Sequence, residues 1–384
     1  MQAVVIGGGI LGITSAYYLR KKGATVTVLE KGNLGNGSTD RANGGIRAQF
    51  SSPVSAKLSK ESIDVWKSFD TEFGTDIAYR RPGYMFLARS EETAAQFREN
   101  VEKQNEVGVD SQMLDPAEAA ELCPGLTEEN YVAATYSATD GFADPHLGLQ
   151  GFAKAARSAG VDIRTKVEVT DIRQDSSGRV TGVETGDGEI EADYVVNAAG
   201  PWAPQIAEMV DLDLPITPKR RQLMITDPET PVSESVPFTI DQDIGVHFRP
   251  EREGSVVCGG HFDVDDPSQD PDDFSERVSL DWSAQVIEEL SRVADYFGPE
   301  SEVKRGWAGL YSMTPDHHPI IEECSPGFVV VAGFSGHGFM QSPAAGQLVS
   351  EIIVDGSPSL VDISKLTADR FERGIHLEEG TVIN

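Results

Sequence analysis

The chain is 384 residues long and 39% hydrophobic, enough to build two compact bodies, each with its own core. Its 62 acidic residues against 32 basic ones leave a net charge of −30, which repels nucleic acid and anionic membrane surfaces and excludes both as partners. Only 12 of the basic residues are lysine, and a self-repelling acidic surface of this kind suits a very salty cytoplasm, where the screening length falls to ~3 Å at 1 M salt.

Residues 2–19 and 326–350 lack formal charge, but glycines and prolines interrupt both stretches, no basic residue precedes the first, and Arg20 follows it at once. Neither predicts a signal segment or a membrane span. The three cysteines, Cys123, Cys258 and Cys324, form no CxxC pair, so they predict no disulfide framework and no structural zinc site. They read as small buried residues in a reducing, cytoplasmic setting.

In chain order, residues 3–6 are an apolar run of strand length, followed directly by Gly7-Gly8-Gly9-Ile10-Leu11-Gly12. Ile10, Ile13 and Tyr17 then recur at helical spacing, Gly23 ends that helix, and residues 25–29 predict a second strand that closes on Glu30. Strand, G-x-G-x-x-G glycines, helix, strand and acid together predict a dinucleotide-binding βαβ unit. Gly7 permits the tight turn, Gly9 lets the backbone approach a pyrophosphate, and Gly12 lets helix and strand pack closely. The free N–H groups of the helix start suit phosphates, and Glu30 suits ribose hydroxyls. The polar segment 38–47 then bears glycines where a nicotinamide domain would normally begin another helix. Such a loop suits a flavin, whose second phosphate and ring edge need backbone groups running alongside.

Further along, residues 116–123 predict a helix and residues 192–197 a strand leading into small residues, where backbone can pass close under a cofactor. Residues 245–249 and 255–260 read as strands, 263–273 as a solvated acidic loop without calcium-loop spacing, and 281–297 as an acidic helix. His317-His318 lack further ligands at metal spacing and read as surface or turn residues, so no metal site is expected. Residues 328–332 predict an apolar strand, 333–338 a glycine-rich turn, and 339–354 a helix with Pro343 tolerated in its first turn.

Several of these segments together resemble the D-amino acid oxidase superfamily of flavoproteins, most closely its sarcosine oxidase, glycine oxidase and L-proline dehydrogenase β-subunit branch. The resemblance spans nearly the whole chain. It is carried by residues 7–12 with Glu30, by Gly44-Gly45-Ile46-Arg47, by Asp140-Gly141 and by the run 195–202. Gly309-Leu310-Tyr311-Ser312-Met313-Thr314-Pro315-Asp316 and Gly333-Phe334-Ser335-Gly336-His337-Gly338-Phe339 complete it. The implied fold is α/β (α+β overall): a Rossmann-like FAD-binding domain from residues 1–80, 145–215 and 310–384, and a second, mainly antiparallel-sheet substrate domain from 81–144 and 216–309. The implied chemistry is oxidation of the C–N bond of a small amino acid or N-methyl amino acid. The alternatives are a flavin-binding subunit active only with partner chains, or a flavoprotein with no amine turnover, such as a tRNA-modifying one.

The resemblance implies cofactor contacts from Gly7, Gly9, Ile10, Leu11, Gly12, Glu30 and Lys31, from Ser38, Thr39, Asn43, Gly44, Gly45 and Ile46, and from Val167, Ala199, Gly200 and Trp202. Gly309 and the turn residues Gly333, Gly336, His337, Gly338, Phe339 and Met340 complete the set, with the final helix N-terminus at the pyrimidine end of the flavin. On its residues alone, His337 reads as structural. Arg47, His247, Arg249 and Tyr311 are the substrate-site candidates. A carboxylate needs a cation or hydroxyl anchor, and His247 and Arg249 share one strand face. Three departures stand out. Gly309 replaces the cysteine that would bind flavin covalently, so FAD is expected to be held non-covalently. Met340 replaces a carboxylate-binding lysine. No oxygen-activating lysine is evident beside His247, so an electron acceptor other than oxygen is expected.

The charge balance predicts a salt requirement. The melting temperature should rise between dilute buffer and molar salt, and an unchanged value would end the saline reading.

Overall fold

A computed structural model describes residues 1–262 and 266–381. Its first sheet has six strands, in the spatial order Ile320–Ser325, Phe328–Ala332, Tyr194–Asn197, Gln2–Ile6, Thr25–Glu30 and Asp162–Thr165. All neighbours pair in parallel except the first two. Parallel strands are buried on both faces, which is why they read as apolar runs. Alternation divides them: Ala3, Val5, Val26 and Val28 pack under helices, while Val4, Ile6 and Val195 pack on the opposite face. The helix layer is built from Ile10–Lys21, Pro145–Ala159 and Gly338–Ser350. The opposite layer holds a three-stranded antiparallel sheet, Val169–Gln174, Val180–Thr185 and Gly188–Glu191.

A second sheet has eight strands, ordered Glu302–Met313, Thr217–Asp227, Val256–Gly260, Val246–Pro250, Phe238–Asp241, Tyr84–Ala88, Ala133–Ser137 and Gln112–Leu114. Only the pairing of Tyr84–Ala88 with Phe238–Asp241 is parallel. One face carries Met85, Val246, Phe248 and Cys258 against the helices Pro116–Leu122 and Leu280–Leu290. The other face turns toward the first sheet. A short antiparallel pair, Gly45–Ile46 with Gly141–Phe142, connects the bodies. The strand Glu302–Met313 runs across the expected division at 309/310, because its register with Thr217–Asp227 continues to Met313.

Several expectations need correction. The acidic helix stops at Leu290 instead of continuing to 297, because the following turns deliver Val293, Ala294, Tyr296 and Phe297 to the core. His318 is 0% exposed and not a surface residue: its ring bridges the Ser52 hydroxyl and the Asp316 carbonyl, each at 2.7 Å, above the buried Asp316–Arg370 ion pair. His317 does lie in a turn, with φ 62. Part of the acidic loop, 263–265, lies outside the described residues; of the rest, 267, 268, 270, 272 and 273 are exposed, as expected of a solvated loop, although Asp266 and Asp272 also pair with cations at the cavity described below.

The final helix is Gly338–Ser350, with a π-type turn Glu351–Asp355 after it, so Pro343 sits in the second turn and not the first. Proline there lacks the N–H that the Phe339 carbonyl would accept. The Ser342 hydroxyl donates to that carbonyl instead, at 2.9 Å. The neighbouring defect is mended by the helix Pro53–Lys67: Trp66 donates to the Met340 carbonyl at 2.9 Å and Ser62 accepts from the Ala344 N–H at 3.2 Å. Among the described residues no helix is long and apolar enough to cross a membrane.

Ser342→Ala should therefore leave a buried carbonyl unpartnered and lower stability by about 1–3 kcal/mol, read as a shift in the urea midpoint. An unshifted midpoint would mean that the helix tolerates Pro343 without this bond.

Candidate functional site

The C-terminal ends of the parallel strands and the inner face of the eight-stranded sheet enclose a cavity of about 580 Å³. That size falls within the range of cofactor and ligand pockets. Three glycine-bearing segments form its edges.

The first is the turn after Gln2–Ile6. Gly7, Gly9, Ile10 and Leu11 line the cavity, but Gly12 does not. A side chain on Gly12 would collide with the Gly7 carbonyl, so this glycine sets how closely helix and turn pack. The helix Ile10–Lys21 starts without a side-chain cap on Gly9 and without an acid in its first turn. An uncapped, positively polarised start facing a cavity suits a phosphate group. Glu30 accepts from the Gly8 N–H at 2.7 Å and the Gly32 N–H at 2.6 Å, bracing both loops while each oxygen keeps a further acceptor site. Lys31 lies 4.1 Å from the centre of the Trp202 ring. Both donate to Asp272, at 2.7 and 3.0 Å, so the acidic loop closes over this end of the cavity. Val167, Ala199 and Gly200 complete this wall.

The second edge is the loop 38–47. Thr39 accepts from the Ile10 N–H at 3.1 Å and Ser38 donates to the Leu310 carbonyl at 2.6 Å. Asn43, Gly44 and Gly45 line the cavity; Ile46 is turned wholly into the core and does not. The third edge is the turn 333–338. Gly333, Gly336, His337, Gly338, Phe339 and Met340 all line the cavity. Gly336 has φ 94, and a side chain there would strike the Tyr311 ring, so only glycine lets the turn lie on that ring. The helix behind it, like the first, starts without a side-chain cap or an early acid. Two helix starts, neither capped by its own N-cap residue, thus face one cavity.

The substrate-site candidates separate. Tyr311 lines the cavity, with the Arg221 guanidinium 5.6 Å from its ring centre. His247 lines it too, its Nε2 3.2 Å from the Asn43 amide and its ring stacked on Phe238. Burial, with Arg249 alongside, brings the His247 imidazole down to about 4, so it is neutral near pH 7. Arg249 is a correction. It does not line the cavity. Its Nε donates to the Asn43 side chain at 2.8 Å and its Nη1 to Glu251 at 2.9 Å, so its charge is already taken and its work is to hold the Asn43 loop.

Arg47 lines the cavity and is 4% exposed. It donates to the Gln49 carbonyl, to the Thr381 hydroxyl and carbonyl, each at 3.1 Å, and meets His337 Nε2 at 3.2 Å. Among the described residues no carboxylate touches it. Lys31, Arg41 and Arg221, the other lysine and arginines lining the cavity, are each paired directly with Asp272, Glu276 and Asp266.

Sequence reasoning missed Arg221, Leu223, Phe238, Ile240, Tyr84 and Thr381, all of which line the cavity. Arg221 arrives by register: Lys219 sits opposite Tyr311 and Arg221 opposite Gly309. No local pattern announces a pairing between strands so far apart in the chain. The Glu251 that pairs with Arg249 lies just past the end of the strand Val246–Pro250. Among the described residues no group of side chains could hold a metal ion.

Comparisons with known proteins agree with this geometry. A family model described as FAD dependent oxidoreductase matches residues 2–352. The chain is 29% identical over 389 residues to the sarcosine oxidase subunit beta of Arthrobacter sp, covering 98% of this chain and 93% of that one. It is 29% identical over 425 residues to the FAD-dependent oxidoreductase domain-containing protein 1 of Xenopus laevis, covering 96% and 82%. The solved structure of L-proline dehydrogenase from P. horikoshii matches with a TM-score of 0.89 at 32% identity, over 98% of this chain and 99% of that one.

The His247 pKa makes stability depend on pH. Between about 4 and 6.5 the unfolded chain binds the extra proton, so this contribution is fully present above 6.5 and is lost as pH falls through about 4. His247→Asn should flatten the rise in unfolding free energy across that window by about 1–3 kcal/mol. Parallel wild-type and variant profiles would show that the imidazole is not held neutral.

Proposed function

The chain belongs to the FAD dependent oxidoreductase family, and we propose that within it the protein oxidises the C–N bond of a small amino acid or N-methyl amino acid. One observation carries this reading: among the described residues, of the four lysines and arginines that line the cavity, Arg47 alone has no carboxylate against it. A buried guanidinium without a touching anion is a seat for a ligand carboxylate.

The three glycine edges fit FAD. Gly7, Gly9 and the uncapped helix start would hold the pyrophosphate, Glu30 the ribose, and the loop 38–45 with the turn 333–340 the flavin end. The absence of a thiol at Gly309 supports a non-covalent hold. Bound FAD supplies a two-electron acceptor. The chain's own residues do the remainder. Arg47 takes the carboxylate and fixes which end of the substrate enters. Tyr311 offers a hydroxyl beside it. The apolar wall of Leu223, Phe238, Ile240 and Met340 excludes water, which disfavours a charged amine and so favours the neutral, oxidisable form. His247, neutral, adds no positive charge to repel it. The names of two similar proteins, a sarcosine oxidase subunit and an L-proline dehydrogenase, point to secondary amino acids as substrates of those enzymes, and this supports the same class here. The first of these is named as a subunit, which favours a second reading in which turnover needs a partner chain; activity appearing only in a co-purified complex would establish it.

Mixed without oxygen, sarcosine, dimethylglycine, proline, glycine or a D-amino acid should bleach the yellow FAD-bound protein. Arg47→Ala should retain FAD yet raise KM for the bleaching substrate roughly ten- to a hundredfold, the worth of one charge-assisted contact. Bleaching by none of these, or unaltered kinetics in Arg47→Ala, would remove the reading.

A further inference from the structure

The environment of Arg47 contains two carboxylates that stand close without touching it. The first is Asp140, which is 0% exposed. Its Oδ1 accepts from the Ala48 N–H at 3.0 Å and its Oδ2 from the Gln49 side-chain amide at 3.2 Å. Gln49 is the residue whose backbone carbonyl accepts from Arg47. The second is Glu379. Its Oε1 accepts from the Thr381 hydroxyl at 2.7 Å and from the Ser51 N–H at 3.0 Å, and its Oε2 from the Ser52 N–H at 3.3 Å, where the helix Pro53–Lys67 begins. Thr381 in turn receives both terminal nitrogens of Arg47. Each carboxylate therefore reaches the guanidinium through one intermediate residue. Burial lowers the Arg47 pKa, and Glu379 and Asp140 are among the charges that push it back.

The arrangement differs from that of the other cations nearby. Arg221 is held by both oxygens of Asp266, at 2.9 and 3.0 Å, and Arg249 by Glu251 at 2.9 Å. An incoming carboxylate would have to expel such a partner and leave it buried without its cation, which is costly. At Arg47 it would replace only neutral partners of Nη2, the Thr381 carbonyl and the His337 ring, while Nη1 stays on the Gln49 carbonyl and the Thr381 hydroxyl, and a charge-assisted contact is roughly twice as strong as a neutral one. Burial raises the Asp140 carboxyl to about 7, so near neutral pH its part is to hold Gln49 in place, and Glu379 holds the Thr381 hydroxyl; the guanidinium itself stays charged.

Resting on the amino-acid reading above, we propose that Asp140 and Glu379 are positioning residues: through Gln49 and the Thr381 hydroxyl they hold Arg47 by Nη1 and keep it aimed at the cavity while leaving Nη2 exchangeable for a substrate carboxylate. Neither touches the substrate.

The test uses the FAD-bound protein and acetate, titrated against the flavin absorbance, so that no turnover is required. Asp140→Asn and Glu379→Gln should each weaken acetate binding about tenfold while FAD stays bound. In an Arg47→Ala background the same substitutions should change nothing further, because a positioning residue has no effect once its target is gone. A merely structural role would cost the same in both backgrounds, and that result, or unaltered acetate affinity in the folded variants, overturns the proposal. Should Asp140→Asn fail to fold, Glu379→Gln decides alone. Acetate binding through Arg47 without oxidation of any amino acid would sustain the positioning while removing the amine reading. A wild-type flavin spectrum unmoved by acetate would overturn the positioning itself.

Discussion

Backbone can pass this close to a cofactor and to other backbone only where side chains are missing, and the cavity depends on that constraint. Gly12 lets the first helix sit on the Gly7 carbonyl, and Gly336 lets the last turn lie on the Tyr311 ring. Each contact brings a helix start to the same space, and neither helix is capped by its own N-cap residue. The glycine-bearing edges of the cavity are therefore shaped by main chain, which the parallel sheet and its helices hold in place.

The second sheet contributes side chains, and it does so through alternation. Along Val246–Pro250, Val246 and Phe248 enter the core beneath the helix Leu280–Leu290, which leaves His247 facing the cavity. The same geometry puts Arg249 on that face, yet the Asn43 loop and Glu251 cover it first. Facing a cavity and lining it are separate conditions: the first follows from strand period, the second from what else packs there.

Charge is handled differently inside and outside. The surplus of acid that gives −30 also supplies partners, since Asp266, Asp272 and Glu276 from one acidic segment pair with Arg221, Lys31 and Arg41 along the cavity wall. The Lys31 and Arg41 pairs cross from one body of the protein to the other, whereas Arg221 and Asp266 both belong to the second. Among the described residues Arg47 is the exception, since the groups that touch it are neutral.

The amino-acid sequence by itself determined the βαβ unit, the acid on Glu30, the strand–turn–helix at 328–350 and the resemblance to FAD enzymes. All are local: strand period, helix period and glycine placement act within a few residues. The end of the acidic helix at Leu290 and the burial of His318 were not legible, because core packing against distant strands decided both. Only the tertiary structure decided which arginine is left for a ligand. The relay around Arg47 joins residues 92 positions apart at Ala48 and Asp140 and 334 apart at Arg47 and Thr381. A counter-charge acts through space, and no spacing along the chain records it.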